Sequence, residues 1–358
     1  GISFENTNGC RATACSVYNC QSTGDLFGFS LTGSSVSSIS TNLVGCVVSS
    51  CTTNSVGNVY GFYNDTTKDV TFSGCQVANL TSTGGVGYGF CNKGTTNTAF
   101  RGNSVAEITG SSAYGFSFQN SNDCFAKDCQ IYLLRATTSV GSGVSCTSSP
   151  RITVNSINVD NISAVGNAIG FSFDLSCSDS IIESCIAKNI SSASSALVAG
   201  FLINASNVIC QDSIAQSLSS SGTAVIGYDV GTGAGGTISY VDLLNCEAAS
   251  ITNNNASAGT VAVGFRVLGA DHFCKGCYAR CITGGPTAYA FQSVNSSTFT
   301  HFYKCHAREI NATTAIGFFN DSVSSYLESC IAGDSKTGFL LSANGTNAVV
   351  NNCKATGC

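Results

Sequence analysis

The stretch GFSFDLSCSDSIIESCIAKNIS, Gly170 to Ser191, decides the fold, because the chain says nearly the same thing before and after it. Gly115 to Leu134 reads GFSFQNSNDCFAKDCQIYLL, and the first four residues are GISF. A glycine followed by an aromatic or aliphatic residue recurs at Gly1, Gly28, Gly61, Gly89, Gly115, Gly143, Gly170, Gly200, Gly227, Gly264, Gly317 and Gly338, with Ala290-Phe291 filling the one gap. A second word follows each start, of the form apolar-x-apolar-x-x-Cys-x-(Val/Ile/Ala)-x-x-(Ile/Leu), as in VTFSGCQVANL, SIIESCIAKNI and VDLLNCEAASI. Its cysteine falls at Cys15, Cys46, Cys75, Cys129, Cys185, Cys246, Cys277, Cys305, Cys330 and Cys353, and three repeats carry Asn103, Ile157 and Ser213 there instead.

Apolar residues alternate with polar ones around each cysteine, which is the period of a strand with one buried face. The two residues before the cysteine are turn formers such as Ser-Gly, Lys-Asp or Asn-Asn. Each repeat of roughly 27 residues therefore offers about three short strands and no helical run. One such unit cannot bury its apolar stripe alone, whereas stacked repeats turn every column into a ladder. The expectation is an all-β chain, one solenoid domain over residues 1–358 with about thirteen coils.

On the glycine-aromatic start, the coil length and the recurring CxAxxI word, the chain resembles the right-handed parallel β-helix proteins of the pectate-lyase-like superfamily. The resemblance spans all 358 residues. It implies the handedness of the coil, and it implies a function drawn from lyases, hydrolases, adhesins and inert shafts, since that fold hosts them all.

Composition narrows the choice. Only 10% of residues are charged, against about 25% in an ordinary soluble domain, so Ser, Thr, Asn and Gly must form the polar surface. A net charge of -5 supplies no basic footprint for nucleic acid, and no apolar run reaches the ~18 residues of a membrane span. The absence of Met reads as a processed or excised chain.

The 21 cysteines are an odd number, so at least one thiol has no partner within the chain. The column of ten reads as buried, stacked thiols acting as small hydrophobes; a bridge such as Cys20 to Cys51 is the alternative. DHFCKGCYARC, followed by His301, Cys305 and His306, contains Cys-x-x-Cys spacing. Its alignment sends Cys274 and Cys277 inward and Cys281 to an outward turn column, so no metal or other cofactor is expected.

Glycoside hydrolysis needs two carboxylates about 5 to 10 Å apart. Six residues before the cysteine runs the column Asp69, Asn97, Asp123, Arg151, Asp179, Asn207; Asp123 and Asp179 sit two coils apart with Arg151 between them, placed to pair with both. No catalytic residue is assigned. A hydroxyl column, Thr52, Thr81, Thr109, Ser163, Ser191, Ser219, Thr252 and Thr283, is interrupted by Arg135 and lacks the second row an ice-binding face needs.

Asn-x-Ser/Thr sequons stand at Asn64, Asn79, Asn161, Asn189, Asn204, Asn255, Asn295, Asn311, Asn320 and Asn344. They are candidate glycosylation sites on an outer surface as well as ordinary turn asparagines. The expectation from these features is a non-enzymatic structural protein, a rigid extracellular rod or filament segment on a cell or virion surface. It would self-associate head to tail, carry surface glycans, and neither bind nucleic acid nor insert into membrane. The alternative is a carbohydrate-binding β-helix, or a carbohydrate-degrading one acting as polysaccharide lyase or glycosidase.

Overall fold

A computed structural model describes residues 1–6, 9–33, 40–194, 196–231, 238–294, 298–342 and 347–358. The described residues form strands and turns without a helix. Three parallel sheets, of 13, 14 and 13 strands, run the length of the chain, and each strand pairs with its counterpart one coil on. Val77 pairs with Val105, Phe72 with Phe100 and Phe90 with Phe116, so a coil takes about 28 residues. In chain order a coil contributes a strand to the first sheet (Gly87–Lys93), a short one to the second (Ala99–Arg101) and a long one to the third (Ser104–Gly110).

The corners come from left-handed residues in register. Asp69, Asn97, Asp123, Arg151, Asp179 and Asn207 all have φ between 55° and 59° at the entry to the second sheet. Gly74, Gly102, Asp128, Ser184 and Gly276 do the same just before the ladder position. A third column, including Asn79, Glu107, Asn161, Asn189 and Cys281, bends each third-sheet strand in its middle. Glycine, asparagine and aspartate enter this region at least cost, which is why turn formers recur at these columns.

Inside the coil, identical residues stack. Phe171, Phe201, Tyr228, Phe265, Phe291, Phe318 and Phe339 form one column, with ring centroids 4.7 to 5.0 Å apart. The repeated glycine has a steric cause. A Cβ on Gly61 would lie 2.6 Å from Val77 and from the Gly89 carbonyl, and one on Gly200 would lie 2.6 Å from Ala215. The glycine lets the first and third sheets approach, and the Val or Ala two residues after the ladder position fills the space.

Candidate functional site

Every cysteine among the described residues is a free thiol, Cys20 and Cys51 included. Cys46, Cys75, Cys129, Cys185, Cys246, Cys277, Cys305 and Cys330 are buried, while Cys15 and Cys353, on the first and last coils, are partly buried. The column does more than fill space. From Cys46 onward each thiol lies near the carbonyl three places before the ladder in the preceding coil, at 3.2 to 3.4 Å for Cys75 (Leu43 O), Cys246 (Cys210 O), Cys277 (Leu243 O), Cys305 (Cys274 O), Cys330 (Phe302 O) and Cys353 (Leu327 O) and at 3.7 to 3.9 Å for Cys46, Cys129 and Cys185. Asn103 makes the same bond with its amide, Nδ2 donating to Phe72 O at 3.0 Å. The reading of these thiols as small hydrophobes alone is thus incomplete: they are weak donors to a carbonyl at the corner.

The turn-edge column is a charge and amide ladder. Arg151 grips Asp123 through Nε (2.6 Å) and Nη2 (2.8 Å), which holds the Asp123 carboxyl below its ordinary pKa. Asp179 accepts instead from Asn207 (3.2 Å) and from the Ser178 hydroxyl (3.0 Å), so the expectation that Arg151 pairs with both aspartates is corrected to a pair with one.

The sequons divide. Asn64 and Asn320 point into the coil and are buried, Asn64 donating to Asn92 Oδ1 (2.7 Å) and Asn320 accepting from Ser293 (2.6 Å); as glycan acceptors both are corrected, because a glycan has no room there. Asn79, Asn161 and Asn189 are the left-handed residues that bend third-sheet strands. Asn204 and Asn255 are partly buried and Asn311 is exposed, while Asn295 and Asn344 lie outside the described residues.

Around the cysteine-rich segment, Cys274, Cys277 and Cys305 face the core and Cys281 faces outward, donating to Glu309 (2.8 Å). Among the described residues no three metal-ligating side chains converge. His301 lies on the outer face of the second sheet between Phe273 and Tyr326, with ring centroids 5.2 and 5.7 Å away, and its Nε2 is 3.7 Å from Glu328. Burial depresses its pKa, and Glu328 opposes that.

The best-formed site lies on the outer face of the first sheet. In Val59–Asp65 the pairing skips the glycine, and the outward residues on either side of the bend turn toward each other. Tyr60 and Tyr63 meet edge to face at 5.0 Å, and Tyr289 meets Phe319 of the next coil at 5.2 Å. The face is therefore a concave elbow running along the coil axis. Its floor is apolar: Cys91, Ile169, Ala199, Ile226, Val263 and Ile316 are buried and lie outside the interior cluster.

At one end of the elbow Phe27, Tyr60, Tyr88 and Tyr114 stack with centroids 4.8, 4.9 and 5.2 Å apart and planes within 12° of parallel. Burial pushes the Tyr60 phenol up to about 12 and the Tyr88 and Tyr114 phenols up as well, so all three stay protonated. Tyr63 differs, donating to Asp65 at 2.7 Å. An open cleft of about 600 Å³ lies at the first coil, lined by Gly1, Ile2, Glu5, Gln21, Asp25 and Phe27. Farther along, Asp229 is fully buried beneath Arg266, which binds it through Nε (3.0 Å) and Nη2 (2.7 Å).

The sequence reading missed this elbow. The signal was present as an aromatic residue immediately before the glycine in four consecutive repeats, Phe27, Tyr60, Tyr88 and Tyr114.

The coil geometry defines a right-handed parallel β-helix. The fold is shared with a mutant of the periplasmic alginate epimerase AlgG, at a TM-score of 0.53 and 10% identity, covering 98% of this chain and 78% of that one. It is shared also with the A-module of the mannuronan C-5 epimerase AlgE6 of Azotobacter vinelandii, at a TM-score of 0.51 and 13% identity, covering 97% and 91%. At such identity the likeness is one of fold. No protein-family model and no curated protein matches the chain.

Proposed function

We propose that this protein is an extracytoplasmic glycan-binding β-helix whose ligand lies in the elbow of the first sheet. The observation that carries this reading is a concave strip of half-buried tyrosines and serines, accessible at their ring edges and hydroxyls, over an apolar floor closed to solvent. Polysaccharides are recognised by such mixed surfaces, with apolar area for the C–H faces of sugars and hydroxyls for their oxygens. Two solved structures of like fold are named epimerases of alginate and of mannuronan, which supports the class of ligand.

Binding rather than turnover is the reading, because Asp123 and Asp229 are each held in an ion pair with an arginine. Affinity electrophoresis of the folded chain through gels containing neutral and acidic polysaccharides tests it. Retardation that Tyr114→Ala relieves is the expected result; free migration in every gel refutes it, and release of shortened or unsaturated chains would make the protein an enzyme.

A rigid rod stacked head to tail is the second reading, favoured by ladders that run unbroken through all three sheets. Filaments in electron micrographs, with no glycan retarding the chain, would select it.

A further inference from the structure

The turn-edge column changes character in the second half of the chain. Where earlier coils place Asp, Asn or Arg, three consecutive coils place Tyr240, Asp271 and Phe299, aligned because Ser239 pairs with Ala270 and Ala270 with Thr298. All three keep the left-handed backbone of the column, with φ of 57°, 56° and 54°. Asparagine and aspartate accept that conformation cheaply, whereas a bulky aromatic residue there is strained. The rings gain little from the fold in return. Tyr240 is 59% exposed and Phe299 55%, and neither packs against another ring of the described residues.

The carboxylate between them is the second exception. Asp69 accepts from Asn97, Asp123 from Arg151 and Asp179 from Asn207, each partner standing one coil on. Asp271 is exposed, and its neighbours in the column are the two aromatics, so no described side chain bonds to its carboxylate.

We propose that Tyr240, Asp271 and Phe299 form an aromatic cage for a quaternary ammonium group, with choline the simplest ligand that carries one. Two strand spacings separate the backbones of the aromatic residues by about 9.6 Å, with the carboxylate midway, and the shared φ starts all three side chains in the same direction. A cation seated between the rings lies within the ~6 Å of each centroid over which the ring quadrupole attracts it. Asp271 supplies the counter-charge. A trimethylammonium group has no N–H to satisfy and holds its water loosely, so two rings and one carboxylate suffice for it. A hard metal ion needs several oxygen ligands and finds one. The column lies at an exposed corner, open equally to free choline and to choline displayed on a lipid headgroup.

Nuclear magnetic resonance titration of the methyl signals of choline and tetramethylammonium with the intact chain tests the site, with 3,3-dimethylbutanol as the uncharged isostere. Flotation with phosphatidylcholine vesicles, against phosphatidylglycerol vesicles, distinguishes the two sources. Tyr240→Leu and Phe299→Leu keep bulk and remove the ring, Asp271→Asn removes the charge, and Asp69→Asn, early in the same column, is the control.

The expected result is binding of both cations and not of the isostere, weakened roughly twofold to fivefold by each cage variant, the worth of one exposed cation–π contact, and unaltered by Asp69→Asn. Flotation with phosphatidylcholine that free choline reverses assigns the headgroup as a source; binding of choline without flotation assigns the soluble ligand. Phe299→Asn, which restores the ordinary residue of the column, should weaken binding without lowering the thermal midpoint. Equal binding of the isostere, cage variants as tight as the parent, or no binding of any trimethylammonium compound overturns the cage. A lower midpoint for Phe299→Asn with unchanged affinity makes the ring a packing residue and overturns it as well.

Discussion

Replacing Cys305 separates the two roles of the thiol column. Its sulfur is fully buried between Cys277 and Cys330 and lies 3.2 Å from Cys274 O. If the thiol only fills space, alanine and serine should cost similar amounts, both set by the lost volume. If it also serves the carbonyl, serine keeps a donor and alanine does not. Removing a donor from a buried carbonyl costs about 1 to 3 kcal/mol, and the small void adds roughly 1 kcal/mol. Cys305→Ala should therefore lose about 2 to 4 kcal/mol and Cys305→Ser about 1 kcal/mol. Cys305→Asp, which buries an unpaired charge between coils, should lose several kcal/mol more. Urea unfolding followed by far-ultraviolet circular dichroism, with the slope checked for constancy because repeat arrays can unfold in parts, measures the series. Alanine as stable as serine would refute the donor role and return the column to plain packing.

Other outcomes follow from the same packing. Iodoacetamide on the folded chain should label exposed Cys358 rapidly, while Cys185 and Cys246, buried with the Cys185 thiol pushed up to about 12 by burial, react only after denaturation; peptide mass spectrometry distinguishes them. Gly61→Ala should destabilise by about 1 to 3 kcal/mol, and more than Gly264→Ala, since the new methyl meets two Val77 methyls at 2.6 and 2.8 Å in the first case and a single Ala279 methyl at 2.9 Å in the second; equal losses in thermal midpoint would argue against side-chain crowding as the cause. His272 is buried, its Nδ1 accepting from the Val241 N–H at 3.3 Å, and burial depresses its pKa from 6.5 to about 4. The fold favours the neutral ring, so its contribution is whole above pH 6.5 and is lost as pH falls from 6.5 toward 4, on the order of 3 kcal/mol. His272→Asn should flatten that part of the curve of urea midpoint against pH, and an unaltered slope would mean that other groups set it.

The fold was legible because the columns that build it are single residues repeated at one spacing. Gly61, Phe62 and Cys75 recur as Gly89, Phe90 and, with a substitution, Asn103, and each has one steric or hydrogen-bonding cause. The bend inside third-sheet strands was not legible, since its column holds residues as unlike as Asn79, Glu107, Leu133 and Cys281; backbone demand there overrides side-chain preference. The candidate site was legible only in part. Tyr60, Tyr88 and Tyr114 alternate outward from the core, where a strand pattern reads as plain surface, and nothing local says that the sheet folds inward at the glycine. Asp229 and Arg266 stand 37 positions apart, because the intervening coil is longer than the rest, so their contact appears only once the register is known.

The parallel ladders also dictate how the molecule yields to force. Tension applied along the axis through the two termini pulls along the hydrogen bonds that join one coil to the next, so bonds at the loaded end open in turn instead of resisting together. Each coil of about 28 residues should peel away as a unit and release roughly 95 Å of chain. Extended between two tethers, the protein would behave as a ratcheted reel, paying out equal lengths at low force, where a sheet sheared along its strands would hold until it failed at once.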